Sequence, residues 1–200
     1  MLILASASPR RKELLENLGY KFDCLAADTD ETLARGIDGY NAVYELAYRK
    51  AKTVAEIKPD GVILASDTVV FCDGEILGKP NDRTDAENML RRLSGKKHTV
   101  YTGVCVMEGE KCERLVSAAE VEFYPLDDAL IEWYLDTNEP YDKAGAYGIQ
   151  GKGSVLVKKI DGDYFTVMGL PCAEVFRALK KFQILPPNRN CDNNKLFLRI

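Results

Sequence analysis

The run GVILASDTVVFCDGEILGKP, residues 61–80, is the strongest strand signal in the chain. It constrains the fold more than any other stretch. Its Asp73-Gly74 pair stands between two apolar runs, which predicts a tight hairpin and so an antiparallel strand pair. Around it lie segments with helical spacing, so no all-β or all-helical architecture fits. Hairpins interspersed with helices predict an α/β fold with a mixed sheet rather than a purely parallel one.

The remaining elements follow from local pattern. LILAS at residues 2–6 reads as a buried strand running into a helix over 9–18, with Ser8 as N-cap, Pro9 at the first helical position and Gly19 as the stop. YKFDCLA predicts a further strand, and DTDET an acidic loop. A second helix spans 40–57 with Val43, Leu46, Ala47, Ala51 and Val54 on one side, and a third spans 84–93. Two strands flank a Glu108–Gly109 turn, and a helix follows over 127–135. A Gly-rich loop then leads into a strand pair around Asp161-Gly162, and a last helix covers 171–182. Residues 1–185 thus predict a single domain, and 186–200 a polar, Asn-rich, mobile tail.

Composition excludes several classes. The 200 residues are 46% hydrophobic, enough for one sizeable core or two lobes sharing a cleft. A formal net charge of −4 argues against general nucleic-acid binding, so any anion site must be local. The N-terminal apolar stretch is too short for a signal peptide, and no run approaches a membrane span, which predicts a cytoplasmic protein. Six cysteines are scattered with no C-x-x-C pair, and His98 is the sole histidine, so a structural zinc site is not expected. Cys72 and Cys105 read as small buried hydrophobes.

The chemistry concentrates in a few places. SASPRR puts Arg10 and Arg11 in the first turn of a helix, where the dipole disfavours cations. A strand end entering a helix start leaves N–H groups free, and with Ser6, Ser8, Arg10 and Arg11 it can cradle a phosphate. The plainer alternative is an exposed helix start with surface arginines. In ILASDTVV, Ser66 and Asp67 fall at or near the end of an apolar strand. That carboxylate could hold a divalent cation, take a proton from water, or simply bond to a turn. Glu31 in the acidic loop is a further candidate metal ligand. Lys50, Lys79 and Lys143 would neutralise a polyphosphate if they met in one cleft. Three other motifs fail. GEILGKP has one residue too few for a P-loop and Pro80 in place of Ser or Thr, SGKKHT lacks the upstream glycine, and GIQGKG has the wrong glycine order for a dinucleotide site. His98 has no partner motif for a triad and reads as structural.

SASPRR, ASDTVV, LGKP, LSGKKHTVYTGV and EPYDKAGAYGIQG occur in order from Leu2 to about Phe182. Together they resemble the Maf family of nucleoside triphosphate pyrophosphatases. The resemblance implies a Maf/ITPase-like fold, with an elongated mixed β-sheet, flanking helices and two lobes around a central cleft. It implies hydrolysis of a nucleoside triphosphate between the α and β phosphates, with magnesium or manganese. By motif position it implies Asp67 as proton acceptor, and Ser8, Arg11, Lys50 and Lys79 on phosphate. Glu31 falls on an acidic position important for activity, and Arg10, Thr68 and Gln150 on positions that distinguish substrates. DKAGAYGIQG and SDTV resemble the branch acting on dTTP and UTP, including modified uridine nucleotides. The alternatives are the same chemistry on 7-methyl-GTP or CTP, and a non-enzymatic regulator of septum formation. A homodimer is common in this family.

Overall fold

The computed structural model describes residues 1–26 and 28–187. Cys191 and residues 188–200 of the expected tail lie outside the described residues. Among the described residues seven strands form one sheet in the order β2-β1-β3-β5-β6-β7, with β4 also on β3. They are β1 (Leu2–Leu4), β2 (Asp23–Cys24), β3 (Val62–Cys72), β4 (Glu75–Leu77), β5 (Lys97–Glu108), β6 (Lys111–Phe123) and β7 (Val157–Gly162). β2, β1 and β3 are parallel, and every other pairing is antiparallel. The sheet is therefore mixed, as the hairpins require. The β3–β4 turn is made by Asp73 and Gly74, both at positive φ, as the favoured two-residue hairpin turn demands.

Among the described residues six α-helices flank the sheet: α1 (Pro9–Asn17), α2 (Gly39–Ile57), α3 (Arg83–Leu93), α4 (Asp128–Leu135), α5 (Tyr164–Met168) and α6 (Cys172–Lys181). Helix α2 covers one face, where Ala47, Ala51 and Val54 pack on Ile3, Ile63, Ala65 and Cys105. The approach is close enough that a Cβ on Gly103 would lie 2.2 Å from the Val43 carbonyl oxygen. The opposite face is covered in two clusters. One joins α1 and α6 to Leu2, Leu4, Val62 and Leu64, and the other joins α3 and α4 to Val70, Cys72, Val100 and Val121. Strand alternation produces this division, because β3 sends even-numbered side chains to one face and odd-numbered ones to the other.

Along one edge of β3 there is a gap. β1 pairs with Val62–Leu64 and β4 with Val70–Cys72, so residues 65–69 have only β5 beside them. Ser66 and Asp67 lie in this gap, in the middle of the strand and not near its end as expected. The strand carries on through these polar residues because β5 pairs without a break from Ile63 to Phe71.

Other elements also differ from expectation. The second strand after Asp161-Gly162 is the short helix α5, whose N-cap Asp163 accepts from Phe165 N at 3.2 Å and Thr166 N at 3.1 Å. β7 pairs with β6 instead. The expected strand in YKFDCLA shrinks to Asp23–Cys24. The β5–β6 turn lies one residue later, between the paired Glu108 and Lys111.

Candidate active site

Helix α1 begins without a side-chain cap. Ser8 holds the N-cap backbone conformation, yet its hydroxyl caps nothing. Its N–H instead donates to Ser6 Oγ at 3.1 Å. The first intrahelical bond runs from Lys12 N to Ser8 O, so the N–H groups of Arg10 and Arg11 have no partner among the described residues. The start of α1 therefore presents a serine hydroxyl, two backbone donors, two guanidinium groups and the positive end of the dipole to one space. That is a set of anion donors.

Across this space, α2 carries Lys50 in its interior. Its Nζ lies 2.7 Å from Glu31 Oε1 and also bonds Asp67 Oδ1. Asp67 is 8% exposed, and its Oδ2 has no partner among the described residues. A carboxylate buried this far needs a cation, and Lys50 supplies it. The loop bearing Glu31 hangs on α2 through Arg49, whose Nη1 donates to Thr32 O at 2.8 Å and Asp30 O at 3.3 Å. Arg49 thus holds the acidic loop one residue away from Lys50.

Arg11 reaches over the sheet edge. Its Nε donates to Gly169 O at 2.9 Å and its Nη2 to Thr68 Oγ1 at 3.1 Å, while Nη1 lies 3.4 Å from Ser6 Oγ. Burial pulls its pKa below the ordinary arginine value, Asp67 opposes that shift, and Arg10 adds to it. Thr102 Oγ1 donates to Thr166 O at 2.7 Å. The Thr68–Thr102 contact of 3.0 Å must then have Thr68 as donor. Thr68 is locked, accepting from Arg11 and donating to Thr102.

The far wall is the segment 139–153, which contains short 3₁₀ turns at Pro140–Asp142 and Ala144–Ala146. Glu139 clasps its two ends together. Its carboxylate accepts from Lys152 N at 3.1 Å and Gly153 N at 3.2 Å, and its backbone carbonyl accepts from Lys143 Nζ at 2.6 Å. Lys143 Nζ also meets Asp142 Oδ1 at 2.5 Å, and Arg10 Nη1 meets Asp142 Oδ2 at 3.4 Å. Partial burial pushes the Asp142 carboxyl up, but Lys143 and Arg10 outweigh it and hold it below the ordinary carboxylate value. Tyr147, on the cleft wall, is anchored from behind by a 2.8 Å bond between its hydroxyl and His98 Nε2. His98 is 3% exposed, and burial lowers its pKa to about 4.

These walls enclose a cleft of about 700 Å³, within the size range of small-molecule sites. Ser6, Ser8, Arg10, Arg11, Glu31, Lys50, Asp67, Thr68, Lys79, Lys143 and Gln150 all line it. Ser8 Oγ, Lys79 and Gln150 have no side-chain partner among the described residues, so they remain available to a ligand. Among the described residues no group of three or more His, Cys, Asp or Glu side chains is placed to hold a metal. Sequence reasoning did not single out Asp142, Glu139, Arg49 or the Gly169 carbonyl. Glu139 and Asp142 both lie within the quoted EPYDKAGAYGIQG. Glu139, Arg49 and the Gly169 carbonyl act through backbone contacts that no side-chain pattern announces.

The family model for Maf-like proteins matches residues 1–182. The chain belongs to the Maf family. This Maf protein is 51% identical over 183 residues to a Bacillus velezensis protein named dTTP/UTP pyrophosphatase, covering 92% of this chain and 97% of that one. It is 47% identical to a protein of the same name from Bacillus pumilus, covering 92% and 98%. Among solved structures, the Ham1 protein of Staphylococcus aureus matches with a TM-score of 0.55 at 12% identity, covering 91% of this chain and 98% of that chain. At that identity the likeness concerns the fold alone.

Proposed function

We propose that this Maf protein is a nucleoside triphosphate pyrophosphatase that hydrolyses dTTP and UTP to the monophosphate and pyrophosphate. The observation that carries this reading is the facing pair of an uncapped, arginine-bearing helix start and a buried carboxylate held by Lys50. The names of the relatives supply the substrate class. The chemistry needs anion donors, an oriented water and a group to take its proton. Ser8, Arg11, Lys50 and Lys79 hold the phosphates, with Ser6 fixing the turn below them. Asp67 takes the proton of the attacking water as the P–O bond of the α–β anhydride breaks. Arg10, Thr68, Lys143 and Gln150 face the rest of the nucleotide.

A divalent cation, magnesium or manganese, belongs to this proposal. Glu31 and Asp67 fit it: both are hard oxygen donors, and both already converge on one cation, Lys50 Nζ. Two protein carboxylates would suffice to hold it, as is common for magnesium beside polyphosphates. When bound, the ion would neutralise charge developing on the phosphates.

The proposal places the protein in the cytoplasm with the nucleotide pools, as one domain of two lobes over residues 1–185, and as a homodimer. Among the described residues no helix is long and apolar enough to cross a membrane. The test is pyrophosphate release from dTTP, UTP, CTP, GTP and 7-methyl-GTP with magnesium or manganese, in the parent protein and Asp67→Asn. Turnover of dTTP and UTP that disappears in the variant is expected. Turnover of 7-methyl-GTP alone would keep the reaction and overturn the pyrimidine assignment. No turnover of any nucleotide would return the weight to a regulatory role.

A further inference from the structure

Among the described residues the ion pairs inside the cleft form two groups with no member in common. One is Glu31–Lys50–Asp67 and the other is Arg10–Asp142–Lys143. A nucleoside triphosphate also has two dissimilar ends. The first group, two carboxylates around one cation, suits the triphosphate with its divalent ion. A carboxylate in the second group has nothing to offer a phosphate, since like charges repel. It suits a neutral group that donates a hydrogen bond.

We propose that Asp142 reads the pyrimidine base, accepting the N3–H of uracil or thymine. This inference rests on the pyrophosphatase reading and adds the base atoms recognised. The imide edge of these bases runs acceptor, donor, acceptor: O4, N3–H, O2. Its complement is donor, acceptor, donor. The second group has that order, because Asp142 receives Lys143 Nζ on Oδ1 at 2.5 Å and Arg10 Nη1 on Oδ2 at 3.4 Å. A carboxylate has about four acceptor sites, so one cation on each oxygen leaves room for N3–H. Lys143 and Arg10 then donate to the two carbonyl oxygens from either side. The group is braced, because Glu139 O holds Lys143 Nζ at 2.6 Å.

Cytosine presents a different edge. It has a lone pair at N3 and an amino group in place of O4. Asp142 would face that lone pair, and one cation would face an amino group. Such a site discriminates by setting like hydrogen-bonding groups against each other. Asp142 is thus a specificity-determining residue that favours uracil and thymine over cytosine.

The experiment compares kcat/KM for UTP, CTP and N3-methyl-UTP in the parent protein, and for UTP and CTP in Asp142→Asn. The Asp142 side chain is 62% exposed, so the variant is expected to fold, and N3-methyl-UTP tests the unaltered protein in any case. The parent is expected to turn over UTP better than CTP or N3-methyl-UTP by about tenfold or more. In Asp142→Asn the amide N–H can donate to cytosine N3, so the UTP-to-CTP ratio should fall by about tenfold or more. A ratio unchanged in the variant, or N3-methyl-UTP turned over as well as UTP, overturns the assignment. If UTP and CTP release pyrophosphate equally in the parent, the Asp142 assignment fails while the pyrophosphatase reading stands. If no nucleotide releases any, both fail.

Discussion

Helix α3 starts with Asp82 accepting from Asp85 N at 2.8 Å, carries an acid in its first turn and ends with Arg91 and Arg92. Helix α1 starts with an unused serine, carries two arginines in its first turn and ends without a base. The first arrangement is capped and charged as a helix prefers, save for Arg83 at its first position, which pairs with Glu132 and Asp136, whereas the second opposes those preferences. Both helices bury leucines on the same sheet, so packing does not explain the difference. What differs is the space each start faces. α1 opens on the cleft, whereas the ends of α3 are tied by ion pairs such as Arg83–Glu132 and Arg91–Asp128. A helix whose own charges disfavour it is stabilised by what comes to it, and here the proposed substrate brings the anion.

Substitutions on the two sides should therefore fail in different ways. Asp67→Asn should lower kcat by about a hundredfold to ten-thousandfold, the usual cost of losing a general base, with the thermal midpoint nearly unchanged. Steady-state kinetics alongside calorimetry would check this; a variant with full turnover would remove Asp67 from the chemistry. Leu90→Ala, in the fully buried cluster under α3, should do the reverse. It should cost about 2–5 kcal/mol of stability while activity per folded molecule stays at the parent level. Urea unfolding with activity measured well below the transition separates the two quantities.

His98 supplies a pH test on the α3 side. It is buried neutral, with its pKa lowered to about 4 by burial. The unfolded chain binds its proton near pH 6.5 and the folded chain only near 4. Stability is then complete above pH 6.5 and is lost as pH falls toward 4, by up to about 3 kcal/mol. Denaturation at a series of pH values should show this slope, and His98→Gln should flatten it. The smallest effect concerns the caps themselves. Asp82→Ala should destabilise by about 1 kcal/mol. Ser8→Ala should leave stability unchanged, because its hydroxyl caps nothing, and should raise KM for the nucleotide. Equal losses of stability in both would abolish the contrast between the two helix starts.

Much of the fold was legible. The Asp73-Gly74 hairpin, the buried face of α2 and the start of α1 each rest on a local rule, namely turn chemistry, helical spacing, or Ser and Pro at fixed positions. The errors arose where distant partners decided. The segment Tyr164–Met168 is apolar enough for a strand, but Asp163 caps it as a helix and Thr166 Oγ1 bonds Ser117 in β6 at 2.9 Å. Asp67 was expected near a strand end because a carboxylate interrupts an apolar run. Residues of β5, some 36 positions further along the chain, keep that run extended.

The candidate site divides in the same manner. From the sequence alone came its chemical inventory, since residue type determines what a side chain can donate, accept or carry as charge, and ordered motifs signalled the family. Only the tertiary structure decided that Lys50 stands between Glu31 and Asp67, that Arg11 locks Thr68, and that Asp142 sits between Arg10 and Lys143. Apart from the adjacent Asp142–Lys143 pair, those contacts join residues 17 to 132 positions apart. Local preference ends after a few residues, and only the packing of the sheet and its helices brings such groups within bonding distance.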